Sequence, residues 1–293
     1  MGVTKRFSDF NEELLVTNQQ RDDAIVKAVR IAEILQRAYY NTNGAGENLL
    51  IVGSWGKGTQ VRPSNDLDMM FALPRHVFER FDAYQGNKQS ALLADVRGHL
   101  IVPNARTDIR ADGQVVVVDY QSITIEVVPV LRKADAELIM PDTRDGGRWK
   151  TVDPIAQIMR IEAVDKHLRG HLRPFIRLIK QWRREKNVPI KSFVLEFLCA
   201  DFLMSYRHND ESFFYFDWFV RDFFASMIAR QNTSLILPGT NEAIHLGNEW
   251  VSRAHTAYTI AVTACEYERE DWVGLAGEEW QKIFGPRIAK WTV

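Results

Sequence analysis

Only two cysteines, Cys199 and Cys265, occur in 293 residues, and both fall in apolar stretches of helical pattern. Two thiols cannot build a four-cysteine zinc site, so they read as buried thiols in a reducing compartment. No apolar run approaches the roughly 20 residues that a membrane-spanning helix needs, and no membrane partner is expected. The start, Met1-Gly2-Val3-Thr4-Lys5-Arg6-Phe7, lacks the apolar core of a secretory signal, and Arg6 stands where a myristoylation site carries Ser or Thr. The expected location is the cytoplasm. Neither charge sign is in excess: 37 Lys and Arg face 38 Asp and Glu, a formal net charge of -1. No DNA, RNA or anionic membrane is therefore called for as an obligatory partner. Repeats, low-complexity tracts and flexible linkers are missing too.

The 46% of hydrophobic residues is ordinary for a folded protein, and the length suits one large domain or two packed lobes. Ala24, Ala28, Ile31, Leu35 and Ala38 recur at steps of four and three, which predicts a helix over 20–41. Leu49 to Val52 reads as a short strand, Leu67 to Leu73 as a second, and 87–102 as a helix. Val115 to Asp119 and Ser122 to Val130 read as two further strands, followed by a polar loop over 131–152. Beyond Asp153 β signals nearly vanish, and helical periodicity fills 153–168, 171–187, 191–207, 213–230, 248–269 and 271–284. The expected fold class is α+β. A mixed-sheet lobe takes residues 1–150, a helical lobe takes 151–293, and the long helix spans both.

Chemistry concentrates between residues 53 and 68. Asp66 and Asp68 stand at alternate strand positions, so both side chains take one face while Leu67 takes the other. Two carboxylates about 7 Å apart can share divalent cations, and magnesium keeps substrate phosphates in its shell. Two-metal chemistry calls for a third carboxylate beside the attacking hydroxyl. Glu126 is the first choice, because it shares a strand face with Thr124 and Val128 and is costly to bury unless something binds it. Asp119 is its competitor. Taken alone, an Asp-x-Asp pair is a solvated turn and Glu126 a water-facing edge residue.

The segment upstream, Gly53-Ser54-Trp55-Gly56-Lys57-Gly58-Thr59, reads as a phosphate-binding turn. Gly53 and Gly58 permit backbones whose amides converge on phosphate oxygens, and Ser54 and Thr59 add hydroxyls. The turn lacks the Gly-Lys-Ser/Thr ending of a Walker loop and opens no βαβ unit, which argues against P-loop and Rossmann sites.

Together these residues resemble the DNA polymerase β-like nucleotidyltransferases. Within them the chain looks most like the cGAS/DncV-like enzymes (CD-NTase, SMODS-type cyclic oligonucleotide synthases), relatives of oligoadenylate synthase. The resemblance is carried by residues 53–59, by Val61 to Phe71, and by Ile125-Glu126-Val127-Val128-Pro129. Downstream, Leu178 to Arg183 and Lys191 to Glu196 are similar to the family's helical-lobe signatures. It implies a nucleotidyltransferase lobe with a mixed sheet, followed by a helical, oligoadenylate synthase-like lobe. It implies two Mg²⁺ or Mn²⁺ ions on Asp66, Asp68 and Glu126, the last standing where the family often has Asp. It also implies a nucleotide site of Gly53, Ser54, Thr59, Asp66, Asp68, Lys180 and Ser192. The cysteine-histidine zinc insertion of vertebrate DNA-sensing members is missing. The expected reaction joins nucleoside triphosphates, ATP among them, into a cyclic di- or trinucleotide. In bacterial anti-phage (CBASS) signalling such a product switches on an effector, and a regulatory protein partner fits that setting.

Independent support from the helical half is partial. Arg173, Arg177, Lys180 and Arg184 fall on one helix stripe, within a stretch 166–191 that holds nine Lys or Arg and one Glu. A solvated basic face and a phosphate-facing stripe are both open readings. Ser192 could equally be the N-cap of its helix. His167 and His171 do not read as a metal site, because Gly170 lies between them. The cluster from Phe213 to Phe219 reads as core rather than as a base-stacking platform. Arg148 and Trp149 are candidates to hold a base. Two rival functions use the same residues: transfer of an adenylyl group to a protein, small molecule or tRNA, and silent nucleotide binding.

Overall fold

Alternating Leu67, Met69 and Phe71 on one strand, and Ile125 and Val127 on another, predict two strands with a shared apolar face, and these strands pair at the centre of a sheet. The computed structural model describes residues 2–101, 107–133, 137–208 and 212–292. β2 (Asp66–Ala72) runs parallel to β5 (Thr124–Arg132). β1 (Leu49–Ile51) flanks β2, while β4 (Val115–Asp119) and β3 (Asp108–Asp112) extend the sheet beyond β5, all antiparallel. β6 (Leu138–Asp142) pairs with the far end of β5, and β7 (Arg148–Val152) pairs with β6.

One sheet face is closed by α2 (Asn18–Tyr40) and α5 (Lys88–Ile101). Ala24, Ala28, Ile31 and Leu35 of α2 and Leu92, Leu93, Val96 and Leu100 of α5 join Leu67, Met69, Phe71, Ile125 and Val127 in one core. Their burial excludes water from that side and leaves polar residues the other. α2 starts at a capping box, in which the Thr17 side chain and Gln20 satisfy each other's backbone amides. The second face has a small cluster of Val52, Met70, Ala72, Val128 and Val130, with Leu138 and Met140 from β6.

The chain divides into two compact units, one of residues 16–57 and 64–158 and one of residues 1–15, 58–63 and 159–293. The first holds the sheet, α2, the short α3 (Gly53–Lys57), α4 (Arg75–Asp82) and α5. The second holds α1 (Gly2–Leu14), α7 (Leu172–Glu185), α8 (Ser192–Ser205), α9 (Phe216–Ala229), α10 (Val251–Arg269) and α11 (Val273–Phe284). α6 (Pro154–His167) crosses the division, which falls between residues 158 and 159. The helical unit's core is built on Trp182, Trp250, Trp280 and the phenylalanines of α7 and α9.

Three segments differ from the sequence expectation. The polar loop over 131–152 is largely β6 and β7, because Leu138 and Met140 alternate too briefly to register beside Pro141; residues 134–136 lie outside the described residues, as does residue 102 of the expected helix 87–102. α1 was not anticipated, since its buried face mixes Phe7, Phe10 and Leu14 with Arg6 and Asn11. The Arg6 guanidinium is wholly buried and donates to Glu268 at 2.9 Å and to the Val273 carbonyl at 2.8 Å, partners remote in sequence. In the helical half, β8 (Ser234–Ile236) and β9 (Ala243–His245) form a small antiparallel pair.

Candidate active site

The register of the parallel pair decides which carboxylates meet. Asp68 on β2 stands directly opposite Glu126 on β5, and Asp66 stands opposite Thr124. Partners in register share a face, so Asp66, Asp68 and Glu126 project together at one end of the sheet, away from the α2–α5 core. Asp66 is exposed, while Asp68 and Glu126 are half-buried. Burial, then the charges of Asp68 and Asp66, push the Glu126 carboxyl up to about 7; Asp112 on β3 adds to the repulsion. A side-chain hydrogen bond with Asp68 raises the Glu126 carboxyl further. Asp112 had no signal in the sequence, because only the sheet brings β3 near β5.

Asp119, the competing third carboxylate, lies in register with Thr124 from β4. That puts it two strands from β2, about 10 Å away at the usual strand spacing. Its carboxylate accepts from Thr124 Oγ1 at 2.9 Å and lies 3.7 Å from Arg110. Glu126 neighbours Asp68 directly, and Asp119 does not.

The turn before β2 is shaped by the same carboxylates. Gly53 adopts φ +59°, and a Cβ there would lie 1.8 Å from Asp68 Oδ2. Gly56 is equally constrained, since a Cβ would lie 2.5 Å from the Ile51 carbonyl oxygen. The Val52 amide donates to the Asp68 carbonyl at 3.0 Å, tying the entry of the turn to β2. Trp55, which the sequence did not single out, donates its indole N–H to the Asp66 carbonyl at 2.7 Å and to Ser64 Oγ at 3.1 Å. Gly53, Ser54 and the three carboxylates thus belong to one unit.

Thr59, Lys180 and Ser192 belong to the helical unit. Thr59 is wholly buried and donates to Glu196 Oε1 at 2.6 Å. The Lys180 ammonium donates to the Thr59 carbonyl and hydroxyl, both at 3.0 Å, and to Glu196. Ser192 is the first residue of α8, and Lys191 is the N-cap, so Ser192 does not cap the helix. Within the basic stripe of α7, Arg177 and Lys180 are buried, Arg173 is half-buried and Arg184 is exposed.

Arg148 pairs with the buried Asp142 at 3.1 Å; Trp149 packs on Phe78 and donates to Asp82 at 2.9 Å. His171 lies edge-on to Phe213 and Phe216. Phe216 and Phe219 are core, whereas Phe214 and Trp218 reach the surface. Both cysteines are buried and free, and burial pushes each thiol up.

Among the described residues, no three His, Cys, Asp or Glu side chains already close into a metal cage. The fit to a divalent cation rests instead on charge. Burial first, and then repulsion among the three converging carboxylates, favours a proton on Glu126, and a cation relieves that repulsion. Magnesium is commonly held by one or two carboxylates together with substrate phosphates rather than by a full protein cage. Among the described residues, no helix is long and apolar enough to cross a membrane.

Solved structures share this fold. DncV of Vibrio cholerae, in complex with the linear intermediate 5' pppA(3',5')pG, matches with a TM-score of 0.73 at 14% identity, covering 98% of this chain and 97% of its own. CdnC of E. coli MS115-1, solved with ATP and in a complex with HORMA-deltaN, matches with a TM-score of 0.70 at 18% identity, covering 98% of each chain. These likenesses show the fold, a mixed α+β architecture with a helical C-terminal part. The Second Messenger Oligonucleotide or Dinucleotide Synthetase domain, SMODS, matches residues 1–164, and the chain belongs to that family of cGAS/DncV-like enzymes. A cyclic AMP-AMP-AMP synthase from an Acinetobacter species is 26% identical over 173 residues, 55% of this chain. That match spans 48% of the relative, about half its length.

Proposed function

We propose that this protein joins nucleoside triphosphates into a cyclic di- or trinucleotide and releases pyrophosphate. The observation that carries the reading is the opposition of Asp68 and Glu126 across the parallel pair, with Asp66 beside them and Glu126 pushed up to about 7. Such a group holds a proton until a cation arrives and then becomes a ligand. Two Mg²⁺ or Mn²⁺ ions would be held by Asp66, Asp68 and Glu126. Bound there, they would neutralise phosphate charge and sharpen a ribose hydroxyl as nucleophile.

The hydroxyl oxygen of one nucleotide attacks the α-phosphorus of another. A new P–O bond forms, the bond to the β-phosphate oxygen breaks, and pyrophosphate departs. A second transfer on the reoriented linear product closes the ring. The turn from Gly53 to Lys57 supplies backbone amides and the Ser54 hydroxyl to the phosphates, so positioning and charge stabilisation dominate the rate. Thr59, Lys180 and Ser192 enter as triphosphate ligands on the resemblance alone. The relatives' substrates support ATP among the bases. The HORMA-deltaN complex of CdnC supports a regulatory protein partner. An anti-phage role through a downstream effector, in the bacterial cytoplasm, completes the reading.

The test is product mass spectrometry. Purified protein is incubated with all four nucleoside triphosphates and Mg²⁺ or Mn²⁺, then treated with phosphatase, beside an Asp66→Asn/Asp68→Asn double variant. A phosphatase-resistant cyclic product absent from the variant is expected. An adenylylated protein or small molecule in cell extract, with no cyclic product, overturns the reading.

A further inference from the structure

Residues 58–65 join the turn of Gly53–Lys57 to the β2 strand that carries Asp66 and Asp68, and they form neither helix nor strand. Carbonyls in such a segment need partners when they are removed from water. Here the partners are guanidinium groups of the helical unit, to which residues 58–63 belong. Arg177 Nη1 donates to the Gly58 carbonyl at 3.0 Å, and its Nε donates to Asn11 Oδ1 at 3.0 Å. One turn further along α7, Lys180 binds the Thr59 carbonyl. Two turns further, Arg184 forks across two carbonyls, with Nη1 to Pro63 at 3.0 Å and Nη2 to Arg62 at 2.9 Å. Arg287 donates to the same Arg62 carbonyl and to that of Glu13. At the near end, a Cβ on Gly58 would lie 3.1 Å from Arg173 Nε.

The order along α7 therefore matches the order along the segment: 177 with 58, 180 with 59, 184 with 62 and 63. Burial lowers the guanidinium pKa of Arg177 to about 10 and shifts Arg184 and Arg287 the same way. Arg177 and Lys180 are buried and need acceptors, which the segment's carbonyls provide, while the fork of Arg184 closes the exposed end of the same row.

We propose that Arg177, Arg184 and Arg287 are positioning residues. They clamp the carbonyls of Gly58, Arg62 and Pro63 and fix the connection that leads from the phosphate-binding turn into the carboxylate strand. The kinetic part of this proposal rests on the nucleotidyl-transfer reading; the clamp itself does not. Arginine is needed at 184 because only a planar fork reaches two carbonyls at once, whereas lysine offers a single point charge.

The experiment combines amide hydrogen exchange with steady-state kinetics on full-length wild type, Arg184→Gln and Arg184→Lys. In both variants exchange at residues 58–62 accelerates roughly tenfold or more, while the helical core stays protected. The turnover number falls about 10- to 100-fold, and KM for ATP changes less than about threefold, as misplacement of reacting groups predicts. Arg184→Lys does not rescue either readout. If Arg184→Gln fails to fold, Arg184→Lys and Arg287→Lys provide the same readouts. Unchanged exchange with a raised KM would make the stripe a phosphate platform and overturn the clamp. Faster exchange with unaltered kinetics would leave a purely structural contact and overturn the positioning role. If wild type forms no nucleotide product, the nucleotidyl-transfer reading fails, while exchange at 58–62 still decides the clamp.

Discussion

Gly53 and Asp68 occupy almost the same space. A Cβ on Gly53 would lie 1.8 Å from Asp68 Oδ2 and 2.7 Å from its Cγ, and the glycine holds φ +59°. The turn and the carboxylate are thus packed as one object, and only a residue without a side chain fits at 53.

Gly53→Ala tests this directly. The left-handed backbone alone costs alanine about 1–2 kcal/mol, and the added methyl must also drive Asp68 aside. A fall in product formation of about 100-fold is expected, with melting only a few degrees lower. Full activity in the alanine variant would show that the turn and Asp68 separate freely.

Glu126 predicts a pH dependence whose sign is fixed. Between its ordinary 4.5 and about 7, the folded chain holds a proton on Glu126 that the unfolded chain has lost. Stability of the metal-free protein from this group therefore falls as pH rises through that window. A cation must displace the same proton, so Mn²⁺ affinity rises roughly tenfold per pH unit up to about 7 and then levels. Calorimetry at several pH values measures both, and Glu126→Gln flattens both. An Mn²⁺ affinity independent of pH would remove Glu126 from the metal set.

Trp55 holds the first residue of the carboxylate strand through its 2.7 Å bond to the Asp66 carbonyl. Trp55→Phe keeps much of the ring packing and loses that donor. Stability drops by about 1 kcal/mol, the usual net value of one such bond. Activity falls roughly tenfold because Asp66 loses its anchor. Thermal melts and product formation separate the two effects.

The Lys180–Glu196 pair is buried on both sides, with side chains 8% and 1% exposed. Glu196→Leu leaves a buried ammonium without its carboxylate and costs about 3–5 kcal/mol. Replacing both together, Lys180→Met with Glu196→Leu, restores most of that loss while abolishing any role Lys180 has toward phosphate. A denaturant melt of the two variants gives the comparison.

Local pattern alone determined a good deal of this protein. Period-two alternation placed Asp66 and Asp68 on one strand face, and Glu126 on the same face as Thr124 and Val128, because side-chain direction in a strand depends only on parity. Helical periodicity located α2, α7, α8 and α10 for the same kind of reason. Register is a different matter. That Glu126 faces Asp68, while Asp119 stands two strands away, follows from which strands pair and with what offset, a choice made by the core beneath them. Trp55 and Asp112 acquire their roles only through that pairing. The stripe of Arg177, Lys180 and Arg184 was legible as a stripe, but a sequence does not say what a face meets. Only the tertiary structure set residues 58–63 against it, where buried Arg177 and Lys180 and the exposed Arg184 meet irregular backbone carbonyls.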